Sequence, residues 1–115
     1  MAGYDLVATS PEKNTSVMIQ VKSRYQTNWD GFIINNFDSD FVVFVTLNRG
    51  YSKKRKNQES GIRDPDFYVF PIEYVKSIKN ENSTWGKIPK SKMTDFEQYE
   101  NRWDLITDKL STSNT

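Results

Sequence analysis

The stretch Phe41-Val42-Val43-Phe44-Val45-Thr46-Leu47 is apolar at every position except Thr46 and is rich in β-branched and aromatic residues. A short apolar run of this kind is typical of a β-strand that is buried on both faces of a sheet. Another apolar run, Phe67–Phe70, follows later in the chain and ends at Pro71. We therefore predict that Phe41–Leu47 is a central strand of the fold and that Phe67–Phe70 is a second buried strand.

Apolar and polar side chains alternate over the preceding segment Ser16–Arg24. Because successive side chains of a strand point to opposite faces, one face of this strand would carry Val17, Ile19 and Val21, and the other Met18, Gln20, Lys22 and Arg24. A polar turn, Ser10–Thr15, separates this strand from the shorter segment Tyr4–Thr9, which is also predicted to be a strand. The two segments are therefore predicted to form a β-hairpin.

Weaker local patterns predict the elements in the middle of the chain. Gly31–Asn35 is predicted to be a short third strand, and Ile72–Lys79 is predicted to be a short helix with one apolar side. Arg49–Asp66 is a long loop, since it contains two glycines, a proline and many charges. Asn80–Lys92 is predicted to be irregular.

The C-terminal part has the clearest helical pattern. Thr94-Asp95-Phe96-Glu97 has the form of a capping box with Thr94 as the N-cap residue. Apolar residues then follow at alternating steps of three and four: Phe96, Tyr99, Trp103, Ile106 and Leu110. This spacing predicts one amphipathic helix that ends near Leu110 and packs against the sheet, followed by a frayed tail over residues 111–115.

Length and composition favour one small folded domain. The chain has 115 residues, 36% of them apolar and 14% aromatic, which favours one small domain over two independently folded ones. Together the elements predict an α/β or α+β fold with a mixed sheet of about five strands and a C-terminal helix on one face. We assign residues 1–110 to this domain.

The absence of two residue types restricts the possible chemistry. The sequence contains no cysteine and no histidine, which excludes disulfides, Cys/His zinc sites, thiol nucleophiles and histidine general bases. A catalytic site would have to use carboxylates, lysine, hydroxyls, amides or a hard cation such as Mg²⁺, which prefers oxygen ligands.

Charge and hydropathy limit the partners. The net charge is +1, so only a local basic patch could attract nucleic acid. The longest apolar run is too short to cross a bilayer, and Met1–Asp5 lacks the basic and apolar regions of a secretory signal. We expect no membrane partner and a cytoplasmic location, with which the absence of cysteine is compatible.

Three polar residues of the predicted hairpin converge on one edge of the sheet. Gln20 and Lys22 are two residues apart and share a face, and Asp5 lies at the same end of the hairpin, away from the turn. The Asp5 carboxylate and the Gln20 amide oxygen could bind a hard cation, with water completing its shell. Lys22 would then orient a water molecule or stabilise charge on a phosphate.

These residues resemble the motifs of the PD-(D/E)XK nuclease superfamily. Gly3-Tyr4-Asp5-Leu6 looks like the strand that carries the metal-binding aspartate, and Ile19-Gln20-Val21-Lys22 looks like the second motif in the QxK form of Mrr-like restriction nucleases. The resemblance implies a restriction-endonuclease-like sheet and a Mg²⁺- or Mn²⁺-dependent DNA endonuclease. It also implies that Asp5 and Gln20 are metal ligands and that Lys22 is the catalytic lysine.

The resemblance leaves alternatives open. The family core begins with a helix, whereas only Met1-Ala2-Gly3 precedes Tyr4. We expect an upstream segment or a second subunit to supply that helix, or the chain to be a reduced, inactive member. An inactive module would bind nucleic acid or complete a larger complex. A plain structural subunit would have no functional site at these residues. In that case Lys22 and Arg24 would simply form the solvent face of a hairpin.

A basic cluster in the long loop is the second candidate functional segment. Five cations occur within eight residues: Arg49, Lys53, Lys54, Arg55 and Lys56. Such a cluster is typical either of a loop that contacts phosphates or of a solvated surface loop. The first alternative predicts DNA contacts at these residues, and the second predicts none. Five acids beside turn residues are predicted to have turn or cap roles instead: Asp30, Asp38, Asp40, Asp64 and Asp66.

Overall fold

Strands form the framework of the fold in the computed structural model, which describes residues 5–10, 12, 14–34, 36–51, 61–78 and 86–111. The strands are β1 (Leu6–Ser10), β2 (Thr15–Arg24), β3 (Gly31–Ile33), β4 (Phe41–Thr46), β5 (Asp66–Pro71) and β6 (Lys87–Pro89). The α-helices are α1 (Ile72–Ile78) and α2 (Asp104–Ser111), and short 3-10 helices cover Lys90–Lys92 and Phe96–Tyr99.

The central sheet has four strands in the order β1-β2-β4-β5. Strand β2 pairs antiparallel with β1 and parallel with β4, and β4 pairs antiparallel with β5. The predicted mixed sheet, hairpin and central position of Phe41–Thr46 are confirmed. Four consecutive residues of β4, from Phe41 to Phe44, are buried, as expected for a strand that is covered on both faces.

The prediction of about five strands in one sheet is wrong in its detail. Strand β3 leaves the central sheet and pairs antiparallel with β6, with Phe32 opposite Ile88. Both of these side chains are buried in the same cluster as Phe44 and Phe70, so this two-stranded ribbon covers one face of the sheet. The predicted irregular segment Asn80–Lys92 therefore contains a strand within its described part, residues 86–92.

The two faces of the central sheet have separate hydrophobic cores. On the first face, Phe44 and Phe70 pack with Phe32 of the ribbon and Val75 of α1, as part of a larger cluster. On the second face, helix α2 packs against the sheet through Ile106 and covers the following buried residues: Val17, Ile19, Phe41, Val43 and Val69. Gln20 and Lys22 of β2 share the first face, because they stand in register with Val42 and Phe44 of β4.

The prediction of one continuous C-terminal helix is wrong. Residues Phe96–Tyr99 form a 3-10 helix, and Asn101 has a left-handed φ of 54° that ends it before α2 begins. In this break the Asn101 amide donates to the Phe67 carbonyl at 2.8 Å, so the chain pairs with the edge of β5. The apolar stripe is therefore divided: Phe96 packs on the first face, whereas Ile106 packs on the second.

The remaining elements lie close to their predicted positions. Helix α1 buries Ile72, Val75 and Ile78, which confirms the short helix predicted after Pro71. Helix α2 extends to Ser111, one residue beyond the predicted end, and residues 112–115 of the predicted tail lie outside the described ranges. Among the helices of the described ranges, none has the length and hydropathy needed to cross a membrane.

Candidate active site

Asp5 is held against β2 by two hydrogen bonds. Its backbone amide donates to the Ile19 carbonyl at 2.8 Å, and its carboxylate oxygen Oδ2 accepts the Val21 backbone amide at 2.7 Å. Because Leu6 stands opposite Ile19 in the antiparallel β1–β2 register, Asp5 lies opposite Gln20, near the middle of β2. Asp5 is exposed, and no described residue bonds its second oxygen, Oδ1, so this atom is available to a ligand.

Gln20 is buried and connects β2 to the segment between β3 and β4. The side chain is 6% exposed, and its Nε2 donates to the Asn36 carbonyl at 2.9 Å and lies 3.4 Å from the Ser39 hydroxyl. The amide nitrogen therefore has a structural role that the sequence analysis did not predict. The metal hypothesis requires the other amide atom, Oε1, since only an oxygen can bind a hard cation.

Lys22 lies two residues further along the same face of β2. It is half-buried and stands in register with Phe44, whose ring is fully buried. Within the described ranges, Lys22 makes neither a hydrogen bond to a side chain nor an ion pair. An ammonium group that has no ion-pair partner among the described residues can bind an anion here.

Asp5 thus lies beside the stretch of β2 that carries Gln20 and Lys22. The Asp5 carboxylate bonds to the backbone of Val21, the residue between Gln20 and Lys22, so this region carries one carboxylate, one amide and one ammonium group. No ion pair joins Asp5 to Lys22. Among the described residues, no group of three or more acidic side chains is placed to hold a metal ion. A cation here would have Asp5 as its charged ligand.

Sequence analysis missed a second polar cluster, which we call the Asp66 cluster: Thr46, Asn48, Arg63 and Asp66. One Asp66 oxygen, Oδ2, accepts Asn48 Nδ2 at 3.0 Å and pairs with the Arg63 guanidinium at 2.9 Å, while the Thr46 hydroxyl lies 3.4 Å away. Asn48 is fully buried in the left-handed region, with a φ of 54°, and also donates to the Asp64 carbonyl at 2.8 Å. The asparagine that directly follows the predicted strand Phe41–Leu47 was the available sequence signal.

The Asp66 cluster also affects a neighbouring tyrosine. Burial of Tyr68, together with the negative charge of Asp66, raises the pKa of the Tyr68 phenol from 10.0 to about 12. Tyr68 packs edge-on against Phe96 and is in register with Phe44. It is therefore a neutral core residue rather than a base.

The base of the predicted basic loop is well defined. Arg49 is exposed, its backbone amide donates to the Tyr25 carbonyl at 2.9 Å, and it forms a β-bridge with Ile62. The Thr27 hydroxyl links the two sides of the loop, donating to the Gly61 carbonyl at 2.5 Å and accepting the Gly50 amide at 3.1 Å. Lys53, Lys54, Arg55 and Lys56 lie outside the described ranges, so their DNA contacts stay a prediction.

Besides Asp66, two more of the acids that were predicted to have turn or cap roles connect distant segments of the chain. Asp40 accepts the Met18 amide at 2.8 Å and the Lys109 ammonium at 3.0 Å, which joins β2 to α2. Asp30 pairs with Lys87 at 3.2 Å and with Arg24 at 3.5 Å. Each acid bridges segments that are far apart in sequence.

A surface cleft of about 460 Å³ lies at the other end of β1 and is formed by β1, the following turn and α2. Hydroxyl side chains, Leu110 and the carboxylate of Glu12 line it. This end of β1 points away from Asp5, so the cleft is separate from the part of β2 that carries Lys22. Among the described residues that line it, none is a cation that could hold a phosphate.

Comparisons with known proteins found no match among protein-family models, curated proteins or solved structures.

Proposed function

We propose that this domain is a metal-dependent phosphodiesterase that hydrolyses DNA at the site formed by Asp5, Gln20 and Lys22. The observation that supports it most is the 2.7 Å bond from the Val21 amide to the Asp5 carboxylate, because it fixes the acid beside the Gln20-Val21-Lys22 stretch. The resemblance of these three residues to the PD-(D/E)XK motifs supplies the reaction class.

Each of the three residues has a distinct role in the proposed reaction. Asp5 Oδ1 and Gln20 Oε1 would hold Mg²⁺ or Mn²⁺, and the ion would supply activation of a water molecule and polarisation of the phosphate. Lys22 stabilises the negative charge that develops on the phosphate oxygens. Since Asp5 is the charged ligand among the described residues, we expect weak metal affinity in the absence of DNA.

A second candidate function is an inactive nuclease-like module that binds nucleic acid or completes a larger complex. The burial of Gln20 and the bond from its Nε2 to the Asn36 carbonyl favour this candidate, because a purely structural glutamine would have the same contacts. Leu6 is 56% exposed and Val7 is 47% exposed, which supports the prediction that an upstream segment or second subunit covers β1.

A cleavage assay with a matched control separates the two candidates. The unaltered protein is incubated with supercoiled plasmid DNA and Mg²⁺ or Mn²⁺, beside Lys22→Ala and the control Lys76→Ala, an exposed lysine of α1. We expect cleavage by the unaltered protein and the control, and a decrease of at least about 100-fold for Lys22→Ala. Absence of cleavage, or equal cleavage by Lys22→Ala, would contradict the proposed enzyme.

A further inference from the structure

Four cations lie side by side from the proposed active site to the β3–β6 ribbon. We call them the basic strip: Lys22, Arg24, Lys87 and Lys90. Lys22 and Arg24 are two residues apart on the same face of β2, which places their Cα atoms about 7 Å apart. Lys87 begins β6 and Lys90 directly follows it.

Asp30 connects the middle of the basic strip. One carboxylate oxygen, Oδ1, lies 3.2 Å from the Lys87 ammonium and 3.5 Å from the Arg24 guanidinium. The hydrogen bond from Lys87 is the largest of the effects that lower the pKa of Asp30 below its usual value of 3.8, so Asp30 stays charged at neutral pH. One acid therefore holds two cations close together, and this trio keeps a positive charge.

Lys90 is fixed at the end of the basic strip by its backbone and by an aromatic ring. Its amide donates to the Asp30 carbonyl at 2.8 Å, and its ammonium group lies 4.4 Å from the centroid of the Trp29 ring. Like Lys22, it forms no ion pair with any acid in the described ranges. A cation held over an aromatic face is positioned without being neutralised.

We propose that the basic strip binds the phosphate backbone of duplex DNA and guides it to Lys22. Phosphates suit these residues because the basic strip consists of cations. Cationic side chains that contact phosphates position the DNA backbone without reading its bases. Trp29 is buried under Lys90 and cannot stack on a base. The inference rests on the proposed function for the location of the reaction, whereas DNA binding by the strip is testable without it.

The test measures binding of a fluorescent duplex by anisotropy, over a series of salt concentrations, in EDTA so that no cleavage occurs. The variants are Lys87→Gln and Lys90→Gln, with Lys76→Gln on α1 as the control. We expect each strip variant to weaken binding and to decrease the salt slope by about 0.9, the value for removal of one phosphate interaction, with no change in the control. Asp30→Asn should have the opposite effect, with tighter binding and a steeper slope.

The outcomes for the strip and for the proposed enzyme are distinguishable. Three results would contradict DNA binding by the basic strip. They are unchanged salt slopes in both strip variants, no measurable binding of the duplex, and binding of poly-glutamate that is as tight as that of DNA. Slopes that change as expected in a protein that never cleaves DNA would support the strip and overturn the enzyme. Cleavage without any change in slope would support the enzyme and overturn the strip.

Discussion

The Asp66 cluster and the proposed active site lie on the same sheet, but their carboxylates have different surroundings. In the Asp66 cluster, one oxygen of Asp66 is surrounded by an asparagine, a guanidinium and a hydroxyl, all within 3.4 Å, and its side chain is 17% exposed. At the proposed active site, Asp5 is exposed and accepts one backbone amide, and Lys22 has no ion-pair partner among the described residues.

The difference separates structural from ligand-binding polar residues. A carboxylate whose donors come from the protein itself fixes the backbone and has little left for a ligand. A carboxylate with one open oxygen near an unpaired lysine contributes little to stability but can bind a cation and a phosphate. The predictions that follow start from this distinction, and the first three run from the largest expected effect on stability to the smallest.

Replacing Asp66 should cost the most stability. Asp66→Ala removes one of the two acceptors of the buried Asn48 amide and the partner of Arg63, so we expect a decrease of about 2–3 kcal/mol in the free energy of unfolding. The control Asp64→Ala, at an exposed acid two residues away, should stay within about 0.5 kcal/mol of the unaltered protein. Denaturant unfolding measures both, and equal effects of the two variants would remove the distinction.

Gln20→Glu should separate the two roles of Gln20. The carboxylate cannot donate to the Asn36 carbonyl as the amide does, so we expect a decrease of about 1–2 kcal/mol in stability. Gln98→Glu, on an exposed part of the 3-10 helix, is the control that should change stability little. If Gln20 is also a ligand, Mn²⁺ affinity should rise in the same variant. Unaltered stability would show that the hydrogen bond from Gln20 Nε2 to the Asn36 carbonyl does not stabilise the fold.

Neutralising the basic loop should weaken DNA binding without affecting the fold. Changing Lys53, Lys54, Arg55 and Lys56 to Gln is expected to decrease the salt slope of DNA binding by about 0.9 for each duplex phosphate that the loop no longer neutralises. Unfolding should be unchanged, because the Asp66 cluster and Thr27 hold the base of the loop. An unchanged slope would identify the loop as a solvated surface segment.

The last of these predictions concerns the effect of alkaline pH on Tyr68. Because the pKa of Tyr68 is raised from 10.0 to about 12, the stability that neutral Tyr68 contributes is complete below pH 10 and is lost as the pH rises towards 12. Tyr68→Phe should therefore lose less stability than the unaltered protein between pH 10 and 12. Thermal unfolding over that range measures the difference, and parallel curves would contradict the raised pKa.

Local sequence patterns predicted the elements whose burial follows from their own residues. The alternation of β2, the apolar run of β4 and the helix after Pro71 all correspond to observed elements. Strand β6 was missed because it buries one residue, Ile88, and depends on a partner more than fifty residues away in the sequence. The broken C-terminal helix was missed because Asn101 pairs with the edge of β5, a contact that helical periodicity cannot reveal.

The sequence predicted which face of β2 carries the candidate residues, but it did not predict their hydrogen bonds. The two-residue spacing of Gln20 and Lys22 was sufficient to place them on one face of β2. One partner of Gln20, however, is the backbone carbonyl of Asn36, which lies sixteen residues further along the chain and outside β2. The Asp66 cluster likewise joins residues from two strands and the loop between them, so no local motif indicates it.

Metal binding at Asp5 tests the proposed function most directly. Titration of the protein with Mn²⁺, followed by electron paramagnetic resonance of the free ion, should show one site per chain. Asp5→Asn keeps an acceptor for the Val21 amide but removes the charge, so it should bind Mn²⁺ at least about tenfold more weakly, while the control Glu73→Gln on α1 binds as the unaltered protein does. Equal affinity of Asp5→Asn and the unaltered protein, or no Mn²⁺ binding by either, would contradict the proposed site.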